Sequence, residues 1–136
     1  MANDKEANKQ RILDFFAAAA EGGDIMAFLS DDLEWWLPDS FPLGGTYKKA
    51  ELAAVLGPIF GMLKAPPQFT INHITAEDDR VAVDCQSTAE MNDGSPFGNT
   101  YHFLFILKDN LIVCVKEFLN TAYISKVLAE QEAKRA

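Results

Sequence analysis

Positive charge is scarce in this chain. Its 136 residues carry 12 Lys and Arg against 20 Asp and Glu, a net charge of −8. Arginine is rarer still: Arg11, Arg80 and Arg135 are the whole set, and none lies in the middle of an apolar strand pattern. Without a basic patch to neutralise phosphates, nucleic acid is not expected as a partner. The same lack argues against anionic membrane surfaces. No apolar run approaches the roughly 20 residues that span a bilayer. The first stretch, "MANDKEANKQ", is polar and lacks the apolar centre of a secretory signal, so a cytoplasmic setting is expected.

Other chemistry is missing as well. The two cysteines, Cys85 and Cys114, lack ligand spacing and read as buried thiols in a reducing compartment. The two histidines, His73 in "INHIT" and His102 in "YHFLF", share no ligand spacing with Cys or Asp. A metal site is therefore not expected, and each His reads as a hydrogen-bonded strand residue. "PLGGTY" lacks the Lys-Ser/Thr ending of a phosphate loop, and no GxSxG nucleophile turn occurs. No cofactor is expected.

Apolar residues make up 49% of the chain, ample for one core, and residues 1–136 are expected to form a single domain. Asp4 can cap a helix to about Glu21, with Ile12, Phe15, Phe16 and Ala19 on one face. Gly22-Gly23 stops it, and Asp24 starts a short second helix. "SDD" ends that helix, and "LEWWLP" is a short strand closed by Pro38. Thr46 opens a third helix, which Gly57-Pro58 should kink or divide. From Gln68 the period changes to two. "FTINHIT", "RVAVDCQSTAEM", "NTYHFLFIL" and "LIVCVKEFLN" read as four antiparallel strands, and "TAYISKVLAEQEAKRA" as a last helix. The plan is α+β: a strongly curved antiparallel sheet packed against about three helices. A curved sheet with helices across its mouth encloses a cavity suited to a small apolar molecule.

One residue breaks the pattern of the last strand. Counting by twos, Val113, Val115, Glu117 and Leu119 share a face, while Ile112, Cys114, Lys116 and Phe118 share the other. A carboxylate is thus aimed at the apolar side. In a dry cavity poor in cations, desolvation would raise its pKa towards neutrality, where a general acid/base works best. The alternative is a hydrated residue at the rim, or one hydrogen-bonded to Gln86 or Trp36. On the long strand, Asp84, Gln86, Thr88 and Glu90 form a polar face, which either lines a wet pocket or meets solvent. The apolar outer face of the last strands, with His102, Leu104, Ile106, Cys114 and Phe118, fits burial in a homodimer.

The ordered motifs "GGDIMAFLSDDLEWWLP", "PLGGTY", "RVAVDCQS", "MNDGSP" and "EFLNTAY" resemble the SnoaL-like branch of the nuclear transport factor 2-like superfamily. Its relatives include polyketide cyclases, ketosteroid isomerases and limonene-type epoxide hydrolases. The resemblance spans about residues 8 to 125. It implies an α+β cone with a deep pocket, often dimeric through the outer sheet face. The isomerases' three functional positions fall here on Phe16, Leu37 and, less securely, Phe103, which cannot transfer a proton or hydrogen-bond an enolate. The epoxide hydrolases' late acid matches Glu117 after Val115, but their inward Arg–Asp pair has no counterpart on the long strand. The cyclase type asks only for one carboxylate in an apolar pocket, without metal or cofactor. The expected function is thus a cofactor-independent proton transfer on a small hydrophobic carbonyl compound. Non-catalytic binding on the same fold is the alternative. Glu117 is the expected acid/base, with Asp84 orienting it or the substrate. Phe16, Trp36, Leu37, Tyr47, Phe60, Gln86, Thr88, Phe103, Val115 and Leu119 are the expected substrate contacts.

Overall fold

The computed structural model describes residues 4–135. Helix α1 (Lys5–Ala20) begins where Asp4 accepts the backbone N–H groups of Glu6 and Ala7. Its buried face is Ile12, Phe15 and Phe16. Gly22, at φ +71°, takes the left-handed turn that ends it. The short second helix is a single 3₁₀ turn, Ile25–Phe28, with Asp24 accepting the Met26 N–H.

Strand β1 (Leu29–Leu37) starts earlier than "LEWWLP" suggests. "SDD" lies inside it, where the register against a neighbouring strand shifts between Leu29 and Glu34. Residues 46–48, expected to open a helix, belong to strand β2 (Gly45–Lys48), with Thr46 opposite Trp36 and Tyr47 opposite Trp35. A β-branched and an aromatic residue suit that edge better than a helix start. Helix α2 (Lys49–Gly61) follows, and the Glu51 carboxylate accepts the Lys48 N–H at 2.7 Å. It runs on through Pro58 to Gly61. Near the last turn the proline's missing N–H removes a single helical bond, so the helix is not divided there.

Strands β3 (Gln68–Glu77), β4 (Arg80–Glu90), β5 (Pro96–Lys108) and β6 (Leu111–Leu119) follow, then helix α3 (Thr121–Arg135). Asp109 and Asn110, at φ 53° and 65°, form the two-residue turn between β5 and β6. The open sheet has the order β2-β1-β6-β5-β4-β3. Every pairing is antiparallel except β1 against β6, which makes the sheet mixed rather than wholly antiparallel.

One irregularity alters the inward count on β6. Ile106 pairs with Cys114 but Leu107 pairs with Ile112, so Val113 is an extra residue. The bulge turns Ile112 inward, fully buried, and leaves Val113 only half-buried. Regular alternation resumes at Val115, which is fully buried. Helix α1 crosses β3 and β4, and α2 crosses β1 and β2. Leu33, Leu52, Val81, Val83, Phe105 and Val115 fill the space between sheet and helices. Each such side chain contributes about 1.5–3 kcal/mol on burial, enough to fix which face of every strand looks inward.

Candidate functional site: a carboxyl group in an aromatic cavity

Between the sheet and the helices lies a cavity of about 420 Å³. Glu117 opens onto it, as do the expected contacts Phe16, Leu37, Phe60, Phe103 and Leu119. On β5, Phe103 stands directly opposite Glu117. Tyr101, Phe103 and Phe105 form a stacked ladder, with centroids 5.2 Å and 5.4 Å apart. Phe16 meets Phe103 edge-on at 5.5 Å. Phe60, 45% exposed, stands where the cavity meets solvent.

The Glu117 carboxyl group has one close partner. The indole Nε1–H of Trp35 donates to its Oε1 at 2.9 Å. Among the described residues no Lys or Arg forms an ion pair with it. Burial pushes its pKa up to about 7, against the opposing pull of the Trp35 hydrogen bond. Burial disfavours the charged form, and no cation among the described residues offsets it. The carboxyl group is thus poised to accept or release a proton near neutral pH.

Several expected contacts lie elsewhere. Trp36 points away from the cavity and packs on Phe118 at 5.0 Å, with the Lys116 ammonium 5.3 Å over its ring. Its neighbour Trp35 faces in, because the parallel register sets it opposite the buried Val115. The partner of Glu117 is therefore Trp35, not Trp36 or Gln86. Val115 is buried in the core and is not part of the cavity wall. Tyr47 also stands off the wall, its hydroxyl donating to the Leu43 carbonyl at 2.8 Å.

Asp84, Gln86 and Thr88 do not line the cavity either. They lie on the outer face of β4, where Asp84 Oδ2 meets His73 Nδ1 at 2.9 Å and Gln86 accepts from Asn72 at 2.7 Å. The His73 hydrogen bond holds the Asp84 carboxyl below its ordinary range. Val83, Cys85 and Ser87 face in and are buried. Apolar Val81 and Val83 carry more transfer free energy than the polar set can recover in a cavity, so they take the inner side. Cys85 belongs to this packing: burial first, then the charges of Asp84 and Glu117, push its thiol up to about 12. Cys114 is only half-buried and lies on another strand, so the expectation of two buried thiols holds for Cys85 alone.

Sequence reasoning did not single out Trp35, Phe15, Phe69 or Asn99, all of which line the cavity. Asn99 is anchored rather than saturated: its side-chain oxygen accepts from the Thr100 and Asn120 N–H groups, and one of its two amide hydrogens goes to the Asn120 carbonyl. Lys64, at the edge of the cavity, pairs with Glu90 at 2.9 Å. No group of three His, Cys, Asp or Glu side chains among the described residues is arranged to hold a metal ion. No helix among them is long and apolar enough to cross a membrane.

Comparison with known proteins agrees with this architecture. The profile of the SnoaL-like domain matches residues 10–115. No curated protein matches the sequence. An NTF2-like protein from Burkholderia thailandensis superposes with a TM-score of 0.74 at 19% identity, over 94% of this chain and 98% of that one. An NTF2-like protein from Burkholderia xenovorans gives 0.67 at 26% identity, over 88% and 93%. TerC, co-crystallised with polyporic acid, gives 0.75 at 18% identity, over 88% and 96%.

Proposed function

Since this chain belongs to the SnoaL-like family, we propose that it is a cofactor-independent enzyme that moves a proton on a small hydrophobic carbonyl compound, with Glu117 as acid and base. The single observation that carries this reading is the Glu117 carboxyl group inside an aromatic cavity, tied to Trp35 and, among the described residues, to no cation. As carboxylate, Glu117 takes a proton from the carbon next to the carbonyl. The C–H bond breaks, an O–H bond forms on the carboxyl group, and the electron pair moves to the carbonyl oxygen as an enolate. The enolate then takes the proton back, or its carbon attacks a second carbonyl within the same molecule, whose π bond breaks and whose oxygen takes the proton from Glu117 as the new alcohol. The Trp35 hydrogen bond takes one acceptor site of Oε1, which leaves Oε2 the less encumbered oxygen for the proton. The cavity of about 420 Å³ has room for a molecule of two to three fused rings.

The test is hydrogen–deuterium exchange at the acidic carbon of enolisable aromatic ketones such as β-tetralone, followed by NMR in heavy water. Wild-type protein should accelerate exchange and Glu117→Gln should not. Acceleration that survives Glu117→Gln removes this residue from the mechanism.

The second reading is a non-catalytic binding protein. It draws support from Phe16, Leu37 and Phe103, where the isomerase positions carry no proton-transfer group. Binding of aromatic ketones with no exchange in the wild type, and with Glu117→Gln indistinguishable from it, would favour that reading. Two further features complete the proposal. The outer sheet face, with Phe118 45% exposed beside Trp36, is a homodimer contact. The setting is reducing and cytoplasmic, in keeping with Cys85 and Cys114, which are free thiols on separate strands.

A further inference from the structure

Besides Glu117, the polar groups on the cavity wall with hydrogen-bonding capacity left over are the Tyr101 hydroxyl, the second amide hydrogen of Asn99 and, at the edge, the Lys64 ammonium; only the Tyr101 hydroxyl is oriented by a buried hydroxyl. Ser87 is 4% exposed and is not part of the wall, while Tyr101 is part of it. Their hydroxyl oxygens are 3.1 Å apart, and either could donate. Each hydroxyl owns one hydrogen and two acceptor sites. If Tyr101 gave its hydrogen to Ser87, the Ser87 hydrogen would be buried with no acceptor among the described residues, an arrangement that proteins avoid. If Ser87 donates to Tyr101, the buried Ser87 hydrogen is satisfied, and the Tyr101 hydrogen is left to turn into the cavity.

We propose that Tyr101 is the hydrogen-bond donor to the carbonyl oxygen of the bound ligand, oriented for that task by the buried Ser87. This rests on the reading of the cavity as a site for neutral carbonyl compounds. Placement supports it. Tyr101 lies two residues from Phe103 on β5, and Phe103 is directly opposite Glu117, so Tyr101 and Glu117 are diagonal neighbours on the inward face. Diagonal positions in an antiparallel pair are about 7–8 Å apart at the backbone. That is a span a ligand can bridge with its carbonyl oxygen on one group and its acidic carbon at the other. Burial raises the Tyr101 hydroxyl pKa, opposed by the Ser87 hydrogen bond and helped by the Glu117 charge. The hydroxyl therefore stays protonated and a donor while Glu117 changes charge. A donor held at a developing enolate oxygen stabilises it without reorganising.

The experiment uses prodan, a neutral naphthyl ketone whose emission reddens when its carbonyl accepts a hydrogen bond. Tyr101→Phe should weaken binding about fivefold to tenfold and shift the bound emission to the blue. Ser87→Ala, which removes only the orienting donor, should change affinity by less than about threefold. Unchanged affinity and emission in Tyr101→Phe would overturn the assignment. So would a large gain in affinity for Ser87→Ala, since that would mean the Tyr101 hydrogen had been held by Ser87. Glu117→Gln separates the two proposals: exchange that survives it defeats the base assignment while a Tyr101→Phe effect still stands. If prodan does not bind the wild type, hydroxyl-proton NMR decides. A slowly exchanging Ser87 hydroxyl proton close to the Tyr101 ring supports the donor direction. A slowly exchanging Tyr101 hydroxyl proton close to Ser87 overturns it.

Discussion

The indole N–H of Trp35 reaches across the parallel seam between β1 and β6 to Oε1 of Glu117, at 2.9 Å. This bond stabilises the carboxylate and opposes the burial that favours the neutral acid. Removing it should leave burial unopposed. In Trp35→Phe the Glu117 pKa should climb above about 7. The rise should be on the order of one pH unit, the equivalent of one hydrogen bond to a charged acceptor. Carbon NMR of the labelled carboxyl group reads it directly, and the pH profile of ketone exchange should move the same way. A pKa that stays put or falls would show that the indole does not tune the acid.

The raised pKa also makes stability depend on pH. An ordinary Glu titrates near 4.5, whereas Glu117 titrates near 7 when folded. Between these values the native state holds one proton more than the unfolded state, so stability falls as pH rises. The contribution is fully present below pH 4.5, is lost through the window up to about 7, and is flat above it. The size of the loss is on the order of 3 kcal/mol. Glu117→Gln should erase this slope and make the protein more stable than wild type above pH 7. Urea denaturation at a series of pH values from 4 to 8 measures both. A slope between pH 5 and 7 that is unchanged in the glutamine variant would place the titration elsewhere.

Why was Glu117 legible in the sequence when its partner was not? Period two around "VKEF" sets Glu117 on the side of Val115, and the sheet keeps that alternation from Val115 onward. The same rule fails upstream, because the extra residue at Val113 resets the count, and nothing in "LIVCV" marks a bulge. Trp35 and Trp36 illustrate a second limit. Alternation says that one faces in, but only the register of β1 against β6 says which, and that register joins segments some 80 residues apart. The face of β4 was undetermined for a related reason. Polar Asp84, Gln86 and Thr88 alternate with Val83, Cys85 and Ser87, and both assignments are regular. Packing decides, since Val81 and Val83 are fully buried beneath the helices. Strand β2 was hidden because four residues carry too little periodicity to compete with the helix after them.

The outward position of Asp84 gives a negative prediction. Its carboxyl group meets His73 on the far side of the sheet, separated from the cavity by the strand backbone. Asp84→Asn should leave prodan affinity, ketone exchange and the Glu117 pKa unchanged. A loss of exchange comparable to that of Glu117→Gln would mean that the polar face of β4 serves the chemistry after all.

The outer face supplies the last test. Phe118, 45% exposed, packs against Trp36 at 5.0 Å, and half-buried Leu104, Ile106 and Cys114 lie on strands β5 and β6 nearby. Exposed aromatic surface of this kind is costly unless a partner covers it. A two-fold contact would place the patch of one chain on the same patch of another. Phe118→Arg puts like charges at such a contact while leaving the inward face of β6 intact. Analytical ultracentrifugation should show wild-type dimers and variant monomers, with the cavity still binding prodan. A wild type that sediments as a monomer at about 100 μM would remove the dimer proposal, since a specific interface of standard size holds well below that concentration.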